Sequence, residues 1–331
     1  CDFKPPVPLM CGLLCSRRRY ALPADCVRAR GICLSGEAVV TERKGYRALA
    51  FYYPKGDLLL SDHVQTEVKL RGDGSVDPSY LCFPVHRLFY LAVAGIIGDN
   101  VSPVIIRRSM PELGAPQTVF DVTDLSFPSF WRSSVGNRGA LASRAPARIV
   151  VIGAGGAAFP AFLANRCKDN GVEVVIDVVE LDTVVAELCE AWFFTSGLRL
   201  HRGIDGLEFL RTCGRVDAIV LDVSADDGTA GKPSGEFELD APPLCFLAAL
   251  EGVMDALLPN GVFVVNMLKQ DACHGAAIRS AVLKLRTMFP QLQLMRGLNG
   301  NVGDNIVAVA TNSSGNVHLF EQVHYHDIGH Q

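Results

Sequence analysis

The residues with chemical promise stand at the ends of short apolar runs. The run over residues 149–152 ends in Gly153-Ala154-Gly155-Gly156, where glycines let the backbone approach a ligand and the helix that follows offers its amides. Such turns serve nicotinamide, flavin and S-adenosylmethionine cofactors alike, and some only pack tightly. The next run ends at Val179-Glu180-Leu181-Asp182, an acidic strand tip where a carboxylate can accept hydrogen bonds from both hydroxyls of a ribose. Asp182 stands where it would cap the following helix, so Glu180 is the ligand candidate. Asp205-Gly206 opens another helix, and Asp205 reads either as an acceptor for an adenine amino group or as a helix cap. A fourth run ends at Leu221-Asp222-Val223-Ser224, with Asp226 and Asp227 in the long loop beyond. A carboxylate outside the carboxyl end of a central strand lies at the ligand crevice of an open α/β sheet. Asp226 fits a solvated loop equally well, whereas Asp222 follows directly from an apolar strand.

These tips need a sheet behind them. From residue 148 onward, apolar runs over 149–152, 172–179, 216–221 and 262–267 alternate with amphipathic stretches, as buried parallel strands joined by crossover helices require. Val184, Val185, Leu188 and Trp192 recur at helical spacing, residues 244–258 read as one longer helix, and 276–288 as another. The runs 292–295 and 306–310, separated by the turn-rich 297–304, read as a closing antiparallel hairpin. The fold class is α/β, a doubly wound Rossmann-like sheet over residues 148–312. Residues 1–97 form a smaller β-rich part, with β-like runs over 47–53 and 64–70 and a connecting helix over 81–97. Residues 98–147, rich in Pro, Ser and Arg and poor in periodicity, read as an insertion or linker, and 313–331 as a C-terminal tail.

Composition bounds the partners. The 331 residues are 49% hydrophobic with a mean hydropathy of +0.23, enough for one large core or two smaller ones. A net charge of -4 and a pI near 6.1 give no basic surplus, so neither nucleic acid nor an anionic membrane is expected as a partner. The apolar run over 7–15 contains Pro8 and precedes Arg17-Arg18-Arg19, resembling neither a signal peptide nor a membrane span. Of eleven cysteines only Cys11 and Cys15 lie close together, without the second pair a zinc site needs, so reduced thiols and a cytoplasmic setting are expected. His324, His326 and His330 read as a disordered tail and Phe130-Trp131 as packing, so no metal site is assigned. The first residue, Cys1, points to a piece of a longer chain or to processing.

Read in order, VVELDTVVAELCEAWF (178–193), GIDGLEFL (203–210) and AIVLDVSADD (218–227) resemble the spermidine synthase superfamily. Within it the likeness is greatest to the C-terminal domain of the methyltransferase-like proteins that methylate translation elongation factor 1-alpha. Their glycine turn G-x-G-G-[GA]-x-x-P matches Gly153 to Pro160. Val64-Gln65-Thr66-Glu67, Asp77-Pro78-Ser79-Tyr80-Leu81-Cys82 and Val265-Asn266-Met267-Leu268 resemble further segments of theirs. The likeness runs from about residue 46 to 310; each motif is weak, but the order and spacing together are specific.

The resemblance implies a seven-stranded class I methyltransferase sheet and an S-adenosylmethionine pocket made by Gly153, Gly155, Glu180, Asp205 and Gly206, with Gln65 and Tyr80 closing over it. It implies that Asp222 faces the reacting amine of a protein substrate, with Tyr80 and Asn266 fixing its other directions. It also implies an N-methyltransferase acting on the N-terminus or a lysine of elongation factor 1-alpha, with a further methyltransferase domain in the full-length chain. Two departures speak against polyamine aminopropyl transfer, the runner-up reading. Gly156 stands where the synthases carry an aspartate for the aminopropyl amine, and Asp227-Gly228 follows the second aspartate of the D-x-S-x-D stretch where they carry a proline. A cofactor-binding module without catalysis is the third reading.

Overall fold

The computed structural model of the chain describes residues 26–34, 36–55, 58–97, 104–109, 118–124, 145–193, 195–223, 225–226, 239–240, 244–267, 275–297, 305–312 and 325–326. Cys11, Cys15, Phe130, Trp131, Asp227, His324 and His330 lie outside them.

Four antiparallel strands come first: β1 (Val27–Cys33), β2 (Gly36–Arg43), β3 (Tyr46–Lys55) and β4 (Leu58–Lys69), paired in that order. Helix α1 (Pro84–Ala94) starts on a proline, whose missing N–H costs nothing at the first helical position. Strands β5 (Val104–Ser109) and β6 (Thr118–Asp124) follow. The α/β part then runs β7 (Ala147–Ile152), α2 (Ala158–Asp169), β8 (Val174–Glu180), α3 (Thr183–Trp192), β9 (Leu198–Arg202), α4 (Gly206–Thr212) and β10 (Val216–Leu221). The two-residue strands β11 (Ala225–Asp226) and β12 (Leu239–Asp240) pair with each other. After them come α5 (Leu244–Ala248), α6 (Leu250–Ala256), β13 (Leu257–Met267), α7 (Gly275–Met288), β14 (Gln291–Gly297), β15 (Ile306–Thr311) and β16 (Tyr325–His326).

The large sheet has the order β16-β5-β6-β14-β15-β13-β10-β7-β8-β9. Its seven strands from β14 to β9 form the expected mixed, Rossmann-like sheet: six run in one direction, and β15 alone runs antiparallel to its neighbours β13 and β14. The expected closing hairpin is therefore present. Period-2 alternation splits the strands between two cores. Ile149, Val151, Val178, Val220 and Val264 pack with α1 and α2 on one face, and Val150, Ile152, Ile219, Leu221 and Val265 with α5, α6 and α7 on the other. Each such buried aliphatic side chain contributes about 1.5–3 kcal/mol.

Two expectations about elements change. Residues 98–147 carry β5 and β6, an antiparallel pair that extends the sheet because β6 runs parallel beside β14. The helix expected over 244–258 is two short helices that end before Leu257, where a ladder to Val216 draws the chain into β13. No helix among the described residues is long and apolar enough to cross a membrane.

The small sheet docks on α3. Ala38, Val40, Leu49 and Val68 pack with Val185, Leu188 and Phe193. Arg47 donates to the carbonyl of Trp192 and lies 5.5 Å over its ring, a cation–π contact. Asp182 caps α3 as expected, its Oδ1 accepting from Val184 N at 2.9 Å and Val185 N at 3.2 Å, while Leu34 N donates to Oδ2. Asp182→Ala is therefore expected to destabilise the protein by about 1–2 kcal/mol, read as a lower urea midpoint at unchanged slope. An unchanged midpoint would show that neither the cap nor the tie to Leu34 stabilises the fold.

Candidate functional site

Strand order reverses between β7 and β10, and a crevice opens outside their carboxyl ends. The two tips meet through backbone: Asp222 N donates to Ile152 O at 2.9 Å, and Gly153 N to Val179 O at 2.9 Å. Gly153 has φ +93°, and a Cβ there would lie 2.3 Å from the Asp222 carbonyl oxygen. No other residue fits without moving a strand end. Gly155 has φ +46°, and its absent Cβ would meet Thr66 Oγ1 at 2.8 Å. That hydroxyl accepts from Gly156 N at 2.8 Å. Gly156 itself is wedged, since a Cβ would come within 2.7 Å of Thr66 Cγ2 and 2.8 Å of Phe193.

Glu180 reaches into the glycine turn from the next strand. Its Oε2 accepts from Ala154 N and its Oε1 from Asp182 N, both at 2.9 Å. Burial pushes its carboxyl above the ordinary value, and these backbone N–H groups oppose that by favouring the anion. The Gly155 N–H also favours the anion, so of the about four lone-pair sites on the two oxygens at least one remains for a hydroxyl donor. Asp205 caps α4: its Oδ1 accepts from Leu207 N at 2.9 Å and Glu208 N at 3.0 Å, while Oδ2 has no partner among the described residues. Gly206 is buried because a Cβ there would lie 2.5 Å from Ile152 Cγ2 and 3.0 Å from the Phe246 ring. Its glycine is explained by packing.

The side chain of Asp222, 26% exposed, stands across from the turn. Its Oδ1 accepts from Asn266 Nδ2 at 2.8 Å, so the ends of adjacent strands β10 and β13 present a carboxylate and a carboxamide together. His86 of α1 faces the other oxygen, with Nε2 at 3.7 Å from Oδ2. Gln65, on β4, lies against Gly155: a Cβ there would be 4.0 Å from Gln65 Cβ. Tyr80 is held elsewhere, 6.5 Å from the Tyr46 ring and under Lys69 Nζ at 5.3 Å; no hydrogen bond among the described residues joins it to Asp222.

The structure thus brings Gly153, Gly155, Glu180, Asp222 and Asn266 to one crevice, with Gln65 beside it. Sequence reasoning missed Thr66, whose role appears only when β4 meets the turn, and His86. The one available signal for His86 was a pair of ionisable residues, His86 and Arg87, opening a helix whose remainder is apolar, in the segment PVHRLFYLAVA. Bare glycine backbone beside a half-buried carboxylate with a lone pair to spare suits the ribose of a nucleoside cofactor. Among the described residues no group of three or more His, Cys, Asp or Glu side chains could hold a metal ion.

No family model matches the chain. It is similar to the eEF1A lysine and N-terminal methyltransferase of Danio rerio, 31% identical over 181 residues, 51% of this chain and 24% of that protein. The enzyme of the same name from Homo sapiens is 30% identical over 173 residues, 48% of this chain and 22% of that protein. The matched part spans about a quarter of the length of these curated relatives. Among solved structures, a probable spermidine synthase from Corynebacterium glutamicum aligns over 86% of this chain and 79% of its own with TM-score 0.53 and 14% identity, a likeness of fold alone. The resemblance read from the motifs is borne out on both sides, sequence and fold.

The wedge at Gly156 is directly testable. Gly156→Ala is expected to overpack the junction with Thr66 and Phe193 and to lower stability by about 1–3 kcal/mol. Gly72→Ala, with nothing within 4 Å of the new Cβ, serves as the neutral control. Thermal unfolding checks both, and equal behaviour of the two variants would refute the wedge.

Proposed function

We propose that the chain is an S-adenosylmethionine-dependent methyltransferase acting on a protein amine, the N-terminus or a lysine of translation elongation factor 1-alpha, in a cytoplasmic setting. Residues 148–312 are its catalytic domain, and Gln65 and Thr66 of β4 border the cofactor side of the crevice. The observation that carries this reading is the Asp222–Asn266 pair at the ends of neighbouring central strands, directly beside the Gly153 turn. The sequence similarity to eEF1A methyltransferases supports the choice of substrate.

Gly153, Gly155 and Glu180 would hold the cofactor, Glu180 through the ribose hydroxyls, with Asp205 toward the adenine and Gly206 as packing beneath it. Gln65 borders the turn, and Tyr80, packed against Tyr46 and Lys69, is not given a role in the site. When bound, the cofactor supplies an electrophilic methyl group on a sulfonium. The nucleophile is a neutral amine, so the chain's own task is to orient it and to exclude water. An α-amine, with an ordinary pKa of about 7.7–8.0, is partly neutral at physiological pH, whereas a lysine near 10.4 needs more help. Asp222 accepts a hydrogen bond from the amine and stabilises the cation as charge develops on nitrogen; Asn266 fixes the carboxylate. Aminopropyl transfer is disfavoured because Thr66 and Phe193 fill the space around Gly156, where the synthases carry their aspartate.

The test incubates the full chain with labelled S-adenosylmethionine and recombinant elongation factor 1-alpha, with putrescine plus decarboxylated S-adenosylmethionine as a parallel arm. Labelled elongation factor and no spermidine are expected; spermidine above a no-enzyme control would overturn the reading. Glu180→Ala is expected to weaken cofactor binding by about 1.5–3 kcal/mol in calorimetry, the value of a charge-assisted hydrogen bond. Asp222→Asn should keep folding and cofactor affinity yet slow methylation by tenfold or more, about 1.4 kcal/mol or greater in the barrier. Near-normal turnover in that variant would move the role away from Asp222.

A further inference from the structure

His86, on α1, is buried at 4% exposure, and nothing in the packing alone requires an imidazole there. Its ring sits among Phe83, Phe89 and Phe159, with centroid distances of 5.5, 5.9 and 6.5 Å. A phenylalanine or leucine would suit that company. The imidazole instead leaves Nδ1 buried with no hydrogen-bond partner among the described residues, which is destabilising. What the imidazole offers in return is Nε2, which faces Asp222 Oδ2 at 3.7 Å.

The geometry points to His86 as a positioning residue that fixes the Asp222 carboxylate for its amine, an inference that rests on the function proposed above. A neutral imidazole has one N–H and one lone pair. With the proton on Nε2, the N–H meets Oδ2 and the unpartnered buried atom is only an acceptor. The other tautomer would set a lone pair against a carboxylate oxygen and bury an unused N–H. The first arrangement is the one electrostatics favours. At 3.7 Å the contact is not yet a hydrogen bond, and a small rotation of the half-buried Asp222 side chain closes it. Asn266 on Oδ1 and His86 on Oδ2 then hold the carboxylate plane from two sides, leaving its remaining lone pairs to the amine. Phe159 belongs to α2, directly after the glycine turn, so the same ring braces Asp222 against the helix that follows the cofactor turn.

The experiment has two arms on the full chain. In long-range ¹H–¹⁵N spectra, with the His86 signals assigned by their loss in His86→Gln, the Nε2–H tautomer is expected, and Asp222→Ala should abolish that preference. This arm needs no turnover, so it decides the pairing even if the methyltransferase reading fails; a wild-type Nδ1–H tautomer overturns the proposal. The second arm measures methylation of recombinant elongation factor 1-alpha. His86→Phe, which suits the same aromatic surroundings, should lower kcat by roughly tenfold with KM for S-adenosylmethionine unchanged, and His86→Gln, which restores a donor near Nε2, should recover most of the loss. Added to Asp222→Asn, His86→Phe should cost less than about twofold more, because both act through one carboxylate. Full multiplicative losses in the double variant, or wild-type kcat in His86→Phe, would overturn the positioning role. If His86→Phe fails to fold, His86→Leu takes its place in the cycle.

Discussion

The carboxylate of Glu180 ties together the parts on which the site depends. It is half-buried at a strand tip, where an ionised group is costly, and the cost is offset by backbone N–H donors from two different loops, Ala154 and Asp182. One donor belongs to the glycine turn after β7, the other to the turn that starts α3. The second turn carries a further carboxylate, Asp182, which caps α3 and takes an amide from Leu34 of the small sheet. Two acids two residues apart thus join three segments, and their mutual repulsion adds to the rise in the Glu180 carboxyl. A glutamine at 180 would turn an NH₂ toward one of two N–H groups; only a carboxylate accepts from both.

Backbone contact does the rest. Gly153 and Asp222 come together because β7 and β10 are hydrogen-bonded neighbours whose following segments diverge at the reversal of strand order. The positive φ of Gly153 turns the chain away just where the Asp222 carbonyl occupies the space of a side chain. Cofactor turn and amine acceptor are therefore adjacent by sheet register, not by a long-range coincidence of loops. Asn266 joins them by the same logic, one strand further along, with Val265 paired to Leu221.

What the sequence made legible follows from locality. Strand tips were visible because buried parallel strands are continuous apolar runs, and the residues just past them are the first polar ones: Gly153, Glu180 and Asp222 could be placed that way. Asp182 could be assigned as a cap because a cap is a relation over three residues. Asp205 shows the limit of that reasoning, since capping and ligand binding make the same demand on one residue type, and the structure displays the cap. The rest depended on partners distant in sequence. Strands β5 and β6 exist through pairing with each other and with β14, which their surrounding Pro, Ser and Arg residues conceal. The end of α6 answers to the ladder at Leu257. Thr66 and His86 acquire meaning only beside a glycine 90 positions later and an aspartate on another element.

The Thr66–Gly156 contact has a consequence for modularity. The amide of Gly156 is completed by a hydroxyl from the small sheet, and the same sheet covers Phe193 and the start of α2. A fragment beginning at β7 would keep the seven strands from β14 to β9 and still leave that amide and that aromatic surface uncovered. The Rossmann-like part is thus not a cassette to be grafted alone onto another protein: its cofactor turn is finished by residues encoded some ninety positions upstream. Recombination between relatives should favour crossovers that carry the β1–β4 sheet and the glycine turn as one inherited unit.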